Sequence, residues 1–394
     1  MHTTSNSLTL TNITAPLRCF IGTYTDQEGG RGIYSCRFTA AQGALEEPLL
    51  VAECDNPTFL ALHPVKPYLY AIGKFPTGML RAFHYTRQTG SLELFDEREI
   101  PGHGPCHLVL CSSEDSNTDA IVVANYGSGN IVSFPILDGG KIGKVASDIA
   151  HTGSGPNIAR QQTSHVHGVS FDGVTVAAVD LGIDKVIYYR IDFDTARLSR
   201  STDYPSLQLS AGAGPRHLVA SKDRRFTYIV NELDSTISVF DRSVIIQSIS
   251  TLPVDVSVVN NFPAEIELHP NGRFLYASNR GDDSIAVFAV DQGKLTLIQN
   301  VSSGGRTPRF FCLDPTTRFL LACNQDAGNI CVFSLDQETG KLTPTGQSVN
   351  VPKPSCLVFE KHKLKMEHCA MTEKDKVQRN LRVNSQMTFH ATLS

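Results

Sequence analysis

The stretch PAEIELHPNGRFLYASNRGDDSIAVF, residues 263–288, contains most of the unit from which the chain is built. A proline opens a short run of mixed polar and apolar residues, and Asn271-Gly272 then makes a turn. A second apolar run ends in Asn279-Arg280, and a third ends at Phe288. β-Branched and aromatic residues fill these runs, and Asn-Gly suits a tight hairpin, so the spacing predicts consecutive antiparallel strands.

The opening motif recurs along the chain. It reads PTFLALHP from Pro57, PCHLVLCS from Pro105, SHVHGVSF from Ser164 and PRHLVASK from Pro215. It returns as PAEIELHP from Pro263, PRFFCLDP from Pro308 and PSCLVFE from Pro354. Successive spacings are 48, 59, 51, 48, 45 and 46 residues. The second run repeats as YAIGK, VVANY, AAVDL, YIVNE, YASNR and LACNQ. Four short strands per repeat of this length is the arithmetic of a propeller blade. The seventh copy has no blade after it, while residues 18–23, 32–38 and 49–54 read as strands without an inner partner. The expected fold is therefore all-β: a seven-bladed β-propeller over residues 17–360, closed by a blade built from both chain ends so that no sheet edge is left. Residues 1–16 are expected to be flexible, as is a basic C-terminal extension, residues 361–394, with seven Lys/Arg against three Asp/Glu.

Composition excludes several classes. A formal net charge of -4 offers no basic field for nucleic acid, and the 17–360 region alone is near -8. No apolar run reaches the roughly 20 residues of a membrane helix, and residues 1–16 lack the pattern of a secretory signal. Trp is absent, which argues against a WD-type repeat. Ten scattered cysteines without a C-x-x-C pair read as small buried hydrophobes in a reducing, cytoplasmic setting. His165 and His167, two apart on a presumed strand, lack a third ligand at fixed spacing, so no metal is expected. The Gly139–Lys144 run lacks the spacing of a phosphate loop and reads as a hairpin turn; no G-x-S-x-G elbow is present.

Polar residues just after each anchor would be costly to bury, so they should line a wet axial cavity. They are Thr58, Cys106, His107, His165, Arg216, His217, Glu265, Arg309 and Ser355. The corner after the second strand adds Lys74, Tyr126, Glu232, Arg280 and Gln325. Any single position can serve as an inter-blade contact, but three arginines converging within an acidic propeller point to an anionic small molecule.

The segments GTYT (22–25), PCHL (105–108), VANYGSG (123–129), RQQTSHVHGVSFD (160–172) and DLGID (180–184) occur in this order. GPRHL (214–218), NELDSTISVF (231–240), the 269–288 stretch and TPRFF (307–311) follow. Together they resemble the lactonase family of seven-bladed propellers, which includes propeller-type 6-phosphogluconolactonases and carboxy-cis,cis-muconate cyclases. The resemblance implies a catalytic set of His165, with His167 beside it, Arg216, Glu232 and Arg280; His107, His167, His217, Glu265, Asn279 and Arg309, from the anchored strands and the second-strand ends of the repeat, are the substrate-binding candidates. It implies hydrolysis of a sugar lactone, foremost 6-phospho-D-glucono-1,5-lactone, with no cofactor. Gly73-Lys74 departs from the Asn-Glu often found in relatives. The alternatives are a muconate cycloisomerase using the same arginines, or a non-catalytic propeller that binds an anionic metabolite or a protein partner. A monomer or weak homo-oligomer is expected, acting on a small anionic lactone without nucleic acid or membrane.

Overall fold

A computed structural model describes residues 15–25, 29–73, 77–113, 118–256 and 260–360. The expectations for residues 1–14, for Lys74 and for residues 361–394 fall outside them. Among the described residues, strands form seven antiparallel sheets, and the only helical element is a 3-10 turn at Asp138–Gly140. Six sheets are consecutive blades whose inner strands are Pro57–Leu62, Pro105–Cys111, Val166–Phe171, Pro215–Ala220, Phe262–Leu268 and Pro308–Leu313. We number these blades 1 to 6. In blade 7 the inner strand Pro354–Phe359 pairs with Leu17–Thr23 from the other end of the chain, and Gly32–Thr39 continues the sheet. The register Phe20↔Val358, Ile21↔Leu357 and Gly22↔Cys356 closes the ring.

The core consists of layers between blades. Tyr70 and Ile72 of blade 1 pack with Ile121 and Phe134 of blade 2, and Tyr228 and Val230 of blade 4 with Leu275 and Phe288 of blade 5. A recurring contact seals the periphery, because the aromatic residue that starts a second strand receives the outer turn of the next blade. Tyr68 takes Gly140, Phe226 takes Gly293, Phe274 takes Gly340 and Phe319 takes Gly43. These glycines have positive φ and leave no room for a Cβ against the ring. The Tyr70 and Tyr276 hydroxyls add hydrogen bonds to the Gly140 and Gly340 carbonyl oxygens at 2.8 and 3.0 Å. The Gly139-Gly140 pair thus serves as a turn against a neighbouring blade.

Every inner strand carries a β-bulge immediately after its first residue or, in blade 5, after Pro263. The register slips between Pro57 and Phe59, Val166 and Gly168, Pro215 and His217, Pro263 and Ile266, and Pro308 and Phe310. It slips at the matching point of blades 2 and 7 as well. A bulge adds one unpaired residue and turns the strand locally, so two consecutive side chains are re-aimed instead of alternating faces. That is why Arg216 and His217 are both buried near the axis.

Two outcomes test this packing. Leu357 is 1% exposed, among Leu17, Cys19 and Ile21 in the closing layer. Leu357→Ala should therefore cost about 2–5 kcal/mol in urea unfolding. Glu267, on the inner strand of blade 5, accepts the Leu313 amide at 2.9 Å. Burial, helped by Glu265 and Asp314, pushes its pKa up to about 7. A raised acid holds its proton longer in the folded state, so this contribution is full below pH ~4.5 and is lost as pH rises through about 7. Glu267→Gln should flatten that decline, with a gain of up to about 3 kcal/mol at pH 8.

Candidate active site

Two tiers of side chains face the axis. The bulge and the residue after it supply the inner tier: Thr58 and Phe59, Cys106 and His107, Arg216 and His217, then Glu265, Arg309 and Ser355. Most of them border an axial cavity with room for roughly one water molecule. His107 and His217 lie 4.6 Å apart between ring centroids, Phe59 sits 4.1 Å from His107, and His217 Nδ1 bonds the Glu265 carboxylate at 3.0 Å. The outer tier is the corner that follows each second strand, and there Tyr126, Glu232 and Arg280 form the mouth.

Glu232 organises this mouth. Its Oε1 accepts Arg160 Nη2 at 2.5 Å and its Oε2 accepts Arg280 Nη2 at 2.7 Å. Arg216 Nε lies 3.3 Å from the same Oε2, and His167 Nε2 lies 4.0 Å from it. The guanidiniums are fixed from behind. Arg280 Nε donates to the Phe262 carbonyl at 2.9 Å, and Arg216 Nη1 donates to that of Ala264. Arg160 also reaches the Tyr126 hydroxyl at 3.2 Å. The Tyr126 ring stacks on His165 at 4.5 Å and meets the edge of His167 at 5.4 Å. His165 Nδ1 bonds the Tyr126 carbonyl oxygen at 2.8 Å. A carbonyl only accepts, so Nδ1 carries a proton, and in the neutral ring the lone pair is on Nε2.

The electrostatics follow from this crowding. Burial opposes the charge of Glu232, but Arg280, Arg216 and Arg160 outweigh it and hold the carboxyl at about 2. Burial, then Arg280 and Arg309, press Arg216 down to about 9, still charged at neutral pH. Burial and the nearby cations keep His107, His167 and His217 well below the usual imidazole range, hence neutral. The mouth combines excess fixed positive charge, an ionised carboxylate and neutral imidazoles.

The structure brings Arg216, Glu232, Arg280 and His167 into direct contact, with His165 joined to them through Tyr126. Arg309 stands beside the axial cavity with its guanidinium 5.4 Å from the Tyr24 ring. Three expectations need correction. The blade 3 strand begins at Val166, paired with Asp180 as Pro215 pairs with Asn231, so the bulge residue is His167 and His165 precedes the strand. The bulge also breaks the alternation that would set the two histidines on one face. Asn279 is fully buried, with its amide bonded to Thr251, Ser284 and Asn261. Asn125, Asn231 and Asn324 tie down the same corner of their own blades, so Asn279 belongs to the frame and offers no group to a substrate. Arg216 keeps only 3% of its side-chain surface exposed, against 33% for Arg160 and 15% for Arg280, so it backs the site while the other two face the opening.

Sequence reasoning passed over Arg160. The signal was the 59-residue spacing between the second and third copies, which houses the loop before Val166. Gln161 pins that loop, donating to the Leu181 carbonyl and the Asp184 carboxylate at 2.8 Å each.

Comparison with known proteins agrees with this fold. Residues 18–359 match the family described as "Lactonase, 7-bladed beta-propeller". A protein named 6-phosphogluconolactonase from Bacillus subtilis is 36% identical over 86% of this chain and 97% of its own. Another of that name from Formosa agariphila is 31% identical over 86% of this chain and 98% of its own. Among solved structures, the periplasmic gluconolactonase PpgL of Pseudomonas aeruginosa superposes with a TM-score of 0.80 at 31% identity, covering 88% of this chain and 99% of its own. With a ring of seven blades, a charged mouth on its axis and these relatives, the chain belongs to the seven-bladed β-propeller lactonases.

Proposed function

We propose that the protein hydrolyses a sugar lactone at the Glu232 mouth, with 6-phospho-D-glucono-1,5-lactone as the substrate. The carrying observation is the convergence on one carboxylate of Arg160, Arg216 and Arg280 from three different parts of the ring. A phosphorylated lactone is an anion whose carbonyl gains further negative charge on attack, and forked guanidiniums suit both demands. The names of the bacterial relatives support this substrate.

The chemistry uses water and side chains only. His165 Nε2 accepts a proton from the attacking water as its oxygen bonds to the lactone carbonyl carbon. Arg280 and Arg160, the two partly exposed cations of the mouth, stabilise the oxyanion, a contribution of about 10²–10³ in rate for one well-placed donor. Collapse breaks the bond to the ring oxygen, which recovers the proton from His165, and the new acid ionises. Glu232, held at about 2, is too weak a base for this transfer. It keeps three mutually repelling cations in place. Arg309, whose charge acts on both Arg216 and Arg280, is the cation assigned to the phosphate. The Pseudomonas relative, named a gluconolactonase, supports a second reading in which the unphosphorylated lactone is the substrate.

Acid release from both freshly prepared lactones decides between them. The phosphorylated one should show the higher kcat/KM, and Arg309→Ala should raise its KM at least tenfold while leaving the unphosphorylated lactone unaffected. Equal kcat/KM values would favour the second reading. Glu232→Gln and Arg280→Ala should each lower kcat/KM at least tenfold in folded protein. His165→Ala should lower kcat at least about a hundredfold; a smaller loss than that of Glu232→Gln would move the base to Glu232. We also propose a cytoplasmic monomer or weak homo-oligomer. Buried thiols such as Cys111, Cys323 and Cys356 support a reducing compartment, and cell fractionation with sedimentation analysis checks both points.

A further inference from the structure

The aromatic seal between neighbouring blades is absent at the junction of blades 3 and 4, as it is after blade 2, which carries Ala120 and Val122 at these positions, and after blade 7, which carries Arg18 at the first of them. Aligning Asp180 with Asn231 places Thr175 where blade 4 has Phe226, and Ala177 where it has Tyr228. Blade 3 thus lacks both rings that would meet the outer turn of blade 4 at Arg242-Ser243. In their place lies a pocket of about 610 Å³ between blades 3 and 4, within the size range of small-molecule sites. It is lined at the start of the second strand and at the far end of the inner strand, opposite the corner that carries Glu232.

The lining is selective. Ala177 and Leu218 contribute an apolar floor, and the Tyr188 ring forms a wall with Tyr204, their centroids 6.0 Å apart. The acidic groups at the rim are already engaged. Asp172 caps the Val174 and Thr175 amides, Asp223 accepts from Ser221, and Asp203 pairs with Arg190. Arg225 is held by Asp241. By contrast, the exposed Arg224 and Arg242 side chains make no hydrogen bond or ion pair among the described residues. Arg242 acts on Asp241 only through its charge, and two guanidiniums without a hydrogen-bonded partner among the described residues, above an aromatic and aliphatic slot, match a flat body with one anionic end.

We infer that this pocket is a second, non-catalytic ligand site for a small aromatic carboxylate, separate from the lactone-hydrolysing mouth. The ring lies in the slot left by the missing aromatics, and the carboxylate meets Arg224 and Arg242.

Binding of naphthalene-2-carboxylate to the full chain, followed by calorimetry, tests this. The carboxylate should bind at least tenfold more tightly than naphthalene-2-carboxamide, a difference of about 1.4 kcal/mol. Acetate, which has no ring, should not bind measurably. Arg224→Ala combined with Arg242→Ala should weaken the carboxylate at least tenfold. Thr175→Phe combined with Ala177→Tyr should abolish binding by refilling the slot. Lactone turnover should be unchanged in both double variants. If the refilled protein does not fold, the arginine pair carries the test alone. Equal binding of acid and amide, unchanged binding in the arginine variant, or displacement of the carboxylate by 6-phosphogluconate would overturn the assignment.

Discussion

Glu232 lies among three guanidiniums that could not otherwise stand so close together in a buried place. Each oxygen of the carboxylate has its own claims, Arg160 on one and Arg280 with Arg216 on the other. Removing Glu232 leaves these cations uncompensated, and breaking a buried pair in this way typically costs about 3–5 kcal/mol. The geometry of the mouth is therefore collective. An incoming anion can compete with Glu232 for the partly exposed Arg160 and Arg280 without dismantling the site, because Arg216 and the backbone carbonyls of Phe262 and Ala264 continue to hold the frame.

The ring explains why the chemistry gathers there. Between blades the packing is apolar, so polar side chains are tolerated chiefly at the axis and the corners. A bulge at the start of every inner strand gives each blade two consecutive side chains near the axis where a regular strand would give one. Corner positions divide the labour. Asn125, Asn231, Asn279 and Asn324 repeat because each fastens its own turn, whereas the residues after them differ in chemistry and form the mouth. At Thr175 and Ala177 the sealing rings are absent and a cavity opens against blade 4.

Much of this was legible from one chain. Seven anchors at near-regular spacing set the blade count, and the unpaired first and last strands implied closure from both ends, as the Leu17–Thr23 ladder to Pro354–Phe359 shows. Arg216, Glu232 and Arg280 stood out because they interrupt a repeated frame with charge. Asn279 misled because it neighbours Arg280 and is polar; its repetition across blades was the sign of a structural part. In blade 3 the repeat pattern points two residues too early, because Ser164 resembles an anchor while the bulge after Val166 leaves no mark in composition.

Periodicity and turn chemistry settle fold and strand order because they act through local propensity and the burial of alternating faces. They are blind to which side chains from different blades come within a few ångströms of one another. The meeting of Arg160 with Glu232, residues 72 positions apart, arises from loop length and ring closure. The tautomer of His165 is likewise set by a carbonyl 39 positions away, and the pocket at Thr175 by what the next blade fails to cover. These are products of distance in space, to which a linear pattern has no access.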